Sequence, residues 1–426
     1  MPDLQKYFAS TCHAFVVGAV LFLPVMARAG DIDAQKFDQI ERGRYLAILG
    51  DCTGCHTLPG SRRDFAGGRP LETPFGVLLG PNITPDRETG IGAWTDDEFV
   101  NALKNGTGRG GTHLFPAMPY TYYSKITRDD ALAIRAYLNT VPAVHNTVSP
   151  DQLPFPFNVR ASLAVWNKLF FTPEEFQPNR SKSPEWNRGA YLTEGLGHCG
   201  MCHTPKNALG GDDTSERMQG YNLQGWFAPN ITNDTRIGLG SWSVDDIAAY
   251  LKTGHNQTSA ATGIMAEEIG LSTSKVSDGD LKAIATYLKD RPGDSSNQNN
   301  RAQATSSPPD QGVMKIGAQI YADECSGCHG ANGKGVSGLF PSLNGAPVVR
   351  QKDATSIVHV VLRGAISAGT KFAPTAAAMP AFAWVMNDDQ VAAVATYIRN
   401  SWGNAAPAVN GGDVAKERAA LAERSD

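Results

Sequence analysis

Several absences narrow the class of this 426-residue chain. No block of basic residues is present: 38 lysines and arginines stand against 42 acidic residues, a formal charge of −4, so the electrostatic footprint of a nucleic-acid binder is missing. The chain also lacks the glycine fingerprint that opens the helix of a dinucleotide-binding βαβ unit. Long apolar runs are missing as well. The run from Ala14 to Met26 falls short of the ~20 residues needed to span a bilayer. It follows Lys6 and closes on Ala27-Arg28-Ala29, a small-x-small site, so residues 1–29 read as an export signal cleaved before Gly30 rather than as a single membrane anchor. Of seven cysteines, Cys12 lies in that signal, and none of the other six is left over.

Those six form three pairs, each with two residues between the thiols and a histidine directly after: Cys52-Thr53-Gly54-Cys55-His56, Cys199-Gly200-Met201-Cys202-His203 and Cys325-Ser326-Gly327-Cys328-His329. A bare Cys-x-x-Cys suits a redox disulfide or half a zinc site; the added histidine makes it the attachment signature of c-type haem. Two thiols on one helical turn reach both vinyl groups of a porphyrin, and the next residue offers its imidazole to the iron. Three complete copies predict three haems c, with Cys52, Cys55, Cys199, Cys202, Cys325 and Cys328 as tethers and His56, His203 and His329 as proximal iron ligands.

Each iron needs a sixth ligand or an open position. Methionine is scarce, and one follows each motif in a matched place: Met118, Met265 and Met379. The intervals from the motif histidine are 62, 62 and 50 residues. Met201 sits inside a motif, Met218 is too near its own, and Met314 precedes the third. Met386 is a rival to Met379, which shares the Met-Pro context of Met118; His113 is a weaker rival to Met118. Histidine–thioether ligation fills both axial positions and raises the reduction potential, which argues for carrying electrons and against peroxide or oxygen chemistry. Among the other histidines, His198 reads as a packing group, His359 as a satisfied core residue, and His145 and His255 as surface or haem-edge groups.

The chain repeats itself. Pro81-Asn82-Ile83-Thr84 recurs 148 residues on as Pro229-Asn230-Ile231-Thr232, and Trp94 recurs as Trp242. Each tryptophan precedes a capped helix with acidic first-turn residues, ended by Gly106 or Gly254. A helix before each motif carries Gly43, Gly189 or Gly317, and another after an acidic start closes each module. The expected fold is all-α: three tandem cytochrome c domains at residues 30–149, 188–293 and 313–403, each built around one covalent haem. The third lacks the Pro-Asn-Ile-Thr segment. Residues 150–187 form an aromatic connector that either packs the first two domains together or faces a partner or bilayer. Residues 294–312 read as a flexible linker, and 404–426 as a tail with a short polar helix.

The three motifs, the Pro-Asn-Ile-Thr pair, Gly197-His198-Cys199-Gly200-Met201-Cys202-His203-Thr204-Pro205 and the closing Ser401-Trp402-Gly403-Asn404 resemble the trihaem cytochrome c subunit of bacterial membrane-bound alcohol, aldehyde, gluconate, sorbitol and fructose dehydrogenases. The resemblance implies an electron-transfer subunit with no substrate site of its own. A separate catalytic subunit carrying flavin, pyrroloquinoline quinone or molybdopterin would oxidise the substrate. This chain would pass the electrons to ubiquinone at the periplasmic face of the inner membrane, peripherally attached. The competing readings are a free periplasmic multihaem shuttle and a multihaem peroxidase.

Overall fold

The structure, a computed structural model, describes residues 29–293 and 308–422. The expected signal peptide, except Ala29, and residues 294–307 of the expected linker lie outside the described residues. The chain divides into two compact units, Met1–Asp38 and Gln39–Asp426. The described part of the first is the opening of one helix, α1 (Ala29–Leu49), whose remainder belongs to the second.

The second unit is built from helices and three two-stranded hairpins. After α1 come α2 (Cys52–His56), hairpin β1–β2 (Pro70–Thr73, Gly76–Leu79), α3 (Asp96–Asn105), α4 (Tyr120–Tyr123) and α5 (Arg128–Leu138). A connector helix, α6 (Ser162–Phe170), leads to a second pass: α7 (Pro184–Glu194), α8 (Cys199–His203), hairpin β3–β4 (Tyr221–Leu223, Trp226–Ala228), α9 (Val244–Thr253), α10 (Gly263–Leu271) and α11 (Asp278–Asp290). The third pass holds α12 (Gln311–Ile320), α13 (Ser326–His329), α14 (Pro347–Arg350), α15 (Thr355–Arg363), hairpin β5–β6 (Ala365–Ile366, Ala378–Met379), α16 (Asp388–Asn400) and α17 (Gly411–Ala422).

Local chemistry explains the boundaries. Thr95 and Ser243 form capping boxes with Glu98 and Asp246, and α3 and α9 both stop at a left-handed glycine, Gly106 (φ 64°) and Gly254 (φ 81°). Helices approach closely at the corresponding glycine in all three passes. A Cβ on Gly43, Gly189 or Gly317 would overlap the carbonyl of Ala133, Ala283 or Ala393 in the closing helix of the same pass. Helix α12 starts at Gln311, capped by Asp310, two residues inside the expected linker. The expected tail is not separate either. Val414 and Leu421 of α17 are buried in the third core, and Arg418 bonds Asp388 and the carbonyls of Ala383 and Met386.

The first two passes share one hydrophobic core, whereas the third has its own. Reciprocal bonds lock the first pair. Asp130 accepts from Arg42 of its own pass (2.7 Å) and from the Tyr191 hydroxyl of the next. Asp280 accepts from Arg188 of its own pass (2.9 and 2.8 Å) and from the Tyr45 hydroxyl of the previous one (2.7 Å). Inner connector aromatics bridge the same two passes: Phe171 packs edge-on to Tyr120, and Phe176 to Tyr191. That is the packing role anticipated for the connector, though it uses only one side of it.

Burial pushes the Asp280 carboxyl up, but the hydrogen bonds from Arg188 and Tyr45 outweigh it and hold the pKa below the ordinary value. A depressed carboxyl contributes stability above its unfolded pKa and loses it as the pH falls through the folded value. Asp280→Asn is therefore expected to destabilise the haem-loaded protein by about 2 kcal/mol at pH 7 in urea unfolding. The gap from wild type should close as the pH falls below roughly 4; a gap constant with pH would mean that the charge on Asp280 is not what stabilises the seam.

Candidate haem sites

Each site begins with a short motif helix, and the first two are entered alike. The residue before the first cysteine is left-handed in both: Asp51 at φ 42° and His198 at φ 31°. This break lets the chain leave α1 or α7 and start a new helix that presents both cysteines on one turn. The third motif has no such break; α12 runs through a π turn, Tyr321–Cys325, into α13.

Two backbone devices then fix each histidine. The carbonyl of His56, His203 and His329 accepts from Gly67, Gly220 and Gly335 respectively, all at 2.8 Å. Those glycines sit at φ 78°, 103° and 64°, conformations that a side chain would strain. The Nδ1–H of each ring donates to a proline carbonyl: His56 to Pro81 (2.7 Å), His203 to Pro229 (2.7 Å) and His329 to Pro341 (3.0 Å). This fixes the tautomer and leaves Nε2 with its lone pair free. Burial also lowers the pKa of all three imidazoles, against the carbonyl bond that raises it, so each ring is held neutral.

Sequence reasoning found the Pro-Asn-Ile-Thr repeat without its purpose. The proline carbonyl orients the histidine, while the asparagine carboxamide oxygen holds the turn, accepting from the Thr84 amide and hydroxyl (2.9 and 2.7 Å) or from those of Thr232 (2.8 and 2.7 Å). The third pass lacks the repeat yet keeps the essential part, since Pro341 lies only 12 residues after His329. The signal was a proline after a glycine-bounded loop, too weak to single out among 26 prolines.

The cysteines form no disulfide. Burial drives their pKa up, to about 12 for Cys52, Cys55 and Cys199 and about 11 for Cys202 and Cys325. Such surroundings oppose thiolate, the form that zinc binding and disulfide exchange require, and suit a neutral thioether. Among the described residues, no group of three or more His, Cys, Asp or Glu side chains is arranged to hold a metal ion, so the pairs do not meet as a zinc site. The donor set and the oriented histidines fit a covalent haem.

The methionines occupy three settings. Met379, in β6, lines one cleft with Cys325, Cys328 and His329, walled by Phe340, Pro341, Phe382 and the backbone around Ser367. Met386 is instead buried in the third core. Met118 lies just before α4, half-buried against the shared core, and Met265 is the third residue of α10. His113 has a buried Nδ1 with no hydrogen-bond partner, and its carbonyl accepts from Arg160. His198 packs on the Tyr123 ring, and the exposed His145 lies near Asp86 and Glu88. Of the two settings expected for His255, the surface is excluded: it is buried.

The sites are neighbours. Cys55 and Cys202 are close enough to interact electrostatically. Helix α10 packs on the first motif helix, where Glu267 pairs with Arg69 and Glu268 meets Asp51. Burial and the Glu268 carboxyl push Asp51 up to about 9, so this carboxyl pair keeps a proton at neutral pH. The third cleft is completed by Ala260 and Thr262 of the second pass. Ala368 N–H donates to Ala261 O (3.0 Å) and Ser342 N–H to Thr258 O (3.1 Å). His359 is a satisfied core histidine that works across this same junction, stacking on Trp226 at 4.0 Å and donating from Nδ1 to Gly225 O (2.8 Å).

Residues 314–402 match the cytochrome c family model. Over nearly its whole length the chain is similar to named relatives. It is 39% identical to the gluconate 2-dehydrogenase cytochrome c subunit of Pantoea cypripedii, across 93% of this chain and 94% of that protein. It is 37% identical to the cytochrome c subunit of alcohol dehydrogenase (quinone) from Gluconacetobacter polyoxogenes, across 97% and 90%. With the fructose dehydrogenase cytochrome subunit of Gluconobacter japonicus it shares 35% identity across 89% and 82%.

The two candidate methionines of the third site should separate cleanly. Met379→Ala is expected to turn one haem from low to high spin in the electronic absorption and paramagnetic resonance spectra. Met386→Ala should leave those spectra unchanged and lower the stability by about 2–4 kcal/mol in chemical unfolding. The reverse pattern would make Met386 the ligand.

Proposed function

Since the chain belongs to the cytochrome c subunits of gluconate, alcohol and fructose dehydrogenase complexes, we propose that it carries three haems c in three tandem cytochrome c domains and relays electrons from a catalytic dehydrogenase subunit to membrane ubiquinone. The observation that carries the trihaem reading is the threefold histidine arrangement, each Nδ1 bound to a proline carbonyl beside a cysteine pair. A haem bound at such a site supplies one-electron iron chemistry. The chain's own residues tether it through Cys52 and Cys55, Cys199 and Cys202, or Cys325 and Cys328, and aim Nε2 of His56, His203 or His329 at the iron.

Met118, Met265 and Met379 are the ligands proposed for the opposite faces. Two protein ligands on each iron leave no vacant position, which supports carrying electrons rather than a peroxidase. The second site adjoins both others: Cys202 neighbours Cys55, and Ala260 and Thr262 wall the third cleft. That packing supports a relay through contiguous sites; in this reading substrate oxidation takes place on a separate subunit carrying flavin, pyrroloquinoline quinone or molybdopterin. Residues 1–29 fit export, which in this reading places the chain at the periplasmic face of the inner membrane. Among the described residues no helix is long and apolar enough to cross a membrane, so attachment is peripheral in this reading.

Purification of the tagged chain from detergent-solubilised membranes tests the proposal. The expected result is three haems per chain by pyridine haemochrome assay, a co-purifying dehydrogenase and substrate-dependent ubiquinone reduction. Recovery of the chain alone from the soluble fraction would make it a free shuttle, and two haems or fewer would remove one of the three sites.

A further inference from the structure

We infer that the outer face of the connector helix α6, with the loop before it, is the surface by which the protein lies on a lipid bilayer. The inference rests on the reading that the protein works at a membrane, and it assigns the residues that touch it. Helix α6 is apolar on both sides. Its inner side is accounted for: Leu163 is buried, Asn167 accepts from the Tyr120 hydroxyl (2.6 Å), the Trp166 indole N–H donates to Leu209 O (2.8 Å), and Phe170 lies over Gly211. Its outer side is not. Val165 and Leu169, one turn apart, are 62% and 64% exposed; Val159 (42%) and Phe155 (81%) in the loop before the helix, and Leu209 (56%), whose carbonyl the Trp166 indole reaches, are exposed as well. An exposed apolar patch on the outer side of a helix packed on its inner side calls for an apolar medium against it.

The shape and charge of this face favour lipid over protein. The side chains are 42–81% exposed, whereas the strongest anchors of protein interfaces sit in well-packed pockets. Protruding side chains enter the boundary between headgroups and acyl chains without a complementary shape. No acidic residue occurs from Gln152 to Pro173, although the whole chain is acidic. Arg160 is committed to Asp151 and to the Phe115 ring, so the free charge on the helix is Lys168, exposed at the rim of the patch. Its stem can lie along the apolar face with the ammonium among anionic headgroups. The helix also buttresses the loop of Met118, through Tyr120 and through Arg160 to His113 O (3.0 Å), so the bilayer would lie on the methionine side of the first site.

The test uses the haem-loaded chain and sedimentation with vesicles of phosphatidylcholine alone or mixed with phosphatidylglycerol. Val165→Glu/Leu169→Glu should lower the vesicle-bound fraction by about tenfold or more, with Val165→Gln/Leu169→Gln as a milder pair should the first misfold. Wild-type binding should be stronger on the anionic vesicles and weaken with salt. Trp384→Glu, at an 84% exposed position in the third pass, should bind like wild type, and all variants should retain the haem spectrum. Undiminished vesicle binding by the α6 pair, or an equal loss with Trp384→Glu, overturns the assignment alone. Loss of a co-purifying catalytic subunit with vesicle binding intact makes the face a protein interface instead. If the wild type binds neither vesicle, the membrane reading falls with it.

Discussion

The bond from a histidine Nδ1 to a proline carbonyl is the constraint around which each site is arranged. It costs the ring one donor and fixes what remains: a neutral imidazole with Nε2 free and its plane set by the backbone. For the carbonyl to be there, the chain must return over the motif helix. That return is why a glycine at positive φ caps each histidine carbonyl and why Gly80 lies where a Cβ would overlap Cys55 O. Asn82 and Asn230 hold the turn so that the proline carbonyl faces inward. The same requirement, met through a loop half as long, explains how the third site keeps its histidine without the repeated segment.

Two sites built this way and joined by a short connector became one body. Asp130 and Asp280 each gather an arginine from their own pass and a tyrosine from the other, an arrangement repeated with the roles exchanged. Arg42 and Tyr191 satisfy Asp130, and Arg188 and Tyr45 satisfy Asp280, so the seam is specified by hydrogen bonds as well as by the shared apolar core. A further consequence is proximity. Helix α10, which carries Met265, leans on the first motif helix, and the carboxyls of Asp51 and Glu268 meet there sharing a proton.

What was legible in the sequence was local. The cysteine–histidine spacing, the caps of α3 and α9, and the glycines 43, 189 and 317 are set within a few residues, and the structure shows the caps and the close helix approach at those glycines. The repeat was visible because it keeps a near-constant offset. What remained hidden depends on distant pairings: Tyr45 with Asp280 across 235 residues, His359 with Trp226, and Val414 and Leu421 of the supposed tail in the third core. Nothing in the composition of residues 404–426 distinguishes a loose polar helix from one whose two apolar side chains find a core. His255, read as a surface or haem-edge group, is buried where the third pass packs over that stretch: Ala368 lies against Gly254, and the Thr370 hydroxyl donates to Thr253 O.

Residues 294–312 read as a tether, and 294–307 of them lie outside the described residues. The third pass is packed against the second by its own contacts. His359 stacks on Trp226, the Gln351 carboxamide reaches Ile237 O, Ser356 exchanges bonds with the Phe227 backbone, and Ser367, next to the hairpin carrying Met379, bridges to Thr262. These contacts lie on both sides of the third cleft, and Ala260 and Thr262 form part of its wall. A site completed by another pass is formed only in the docked arrangement. Whatever freedom the linker allows before docking, the spacing between second and third sites is set by packed side chains and backbone bonds, as a relay whose rate depends on distance requires.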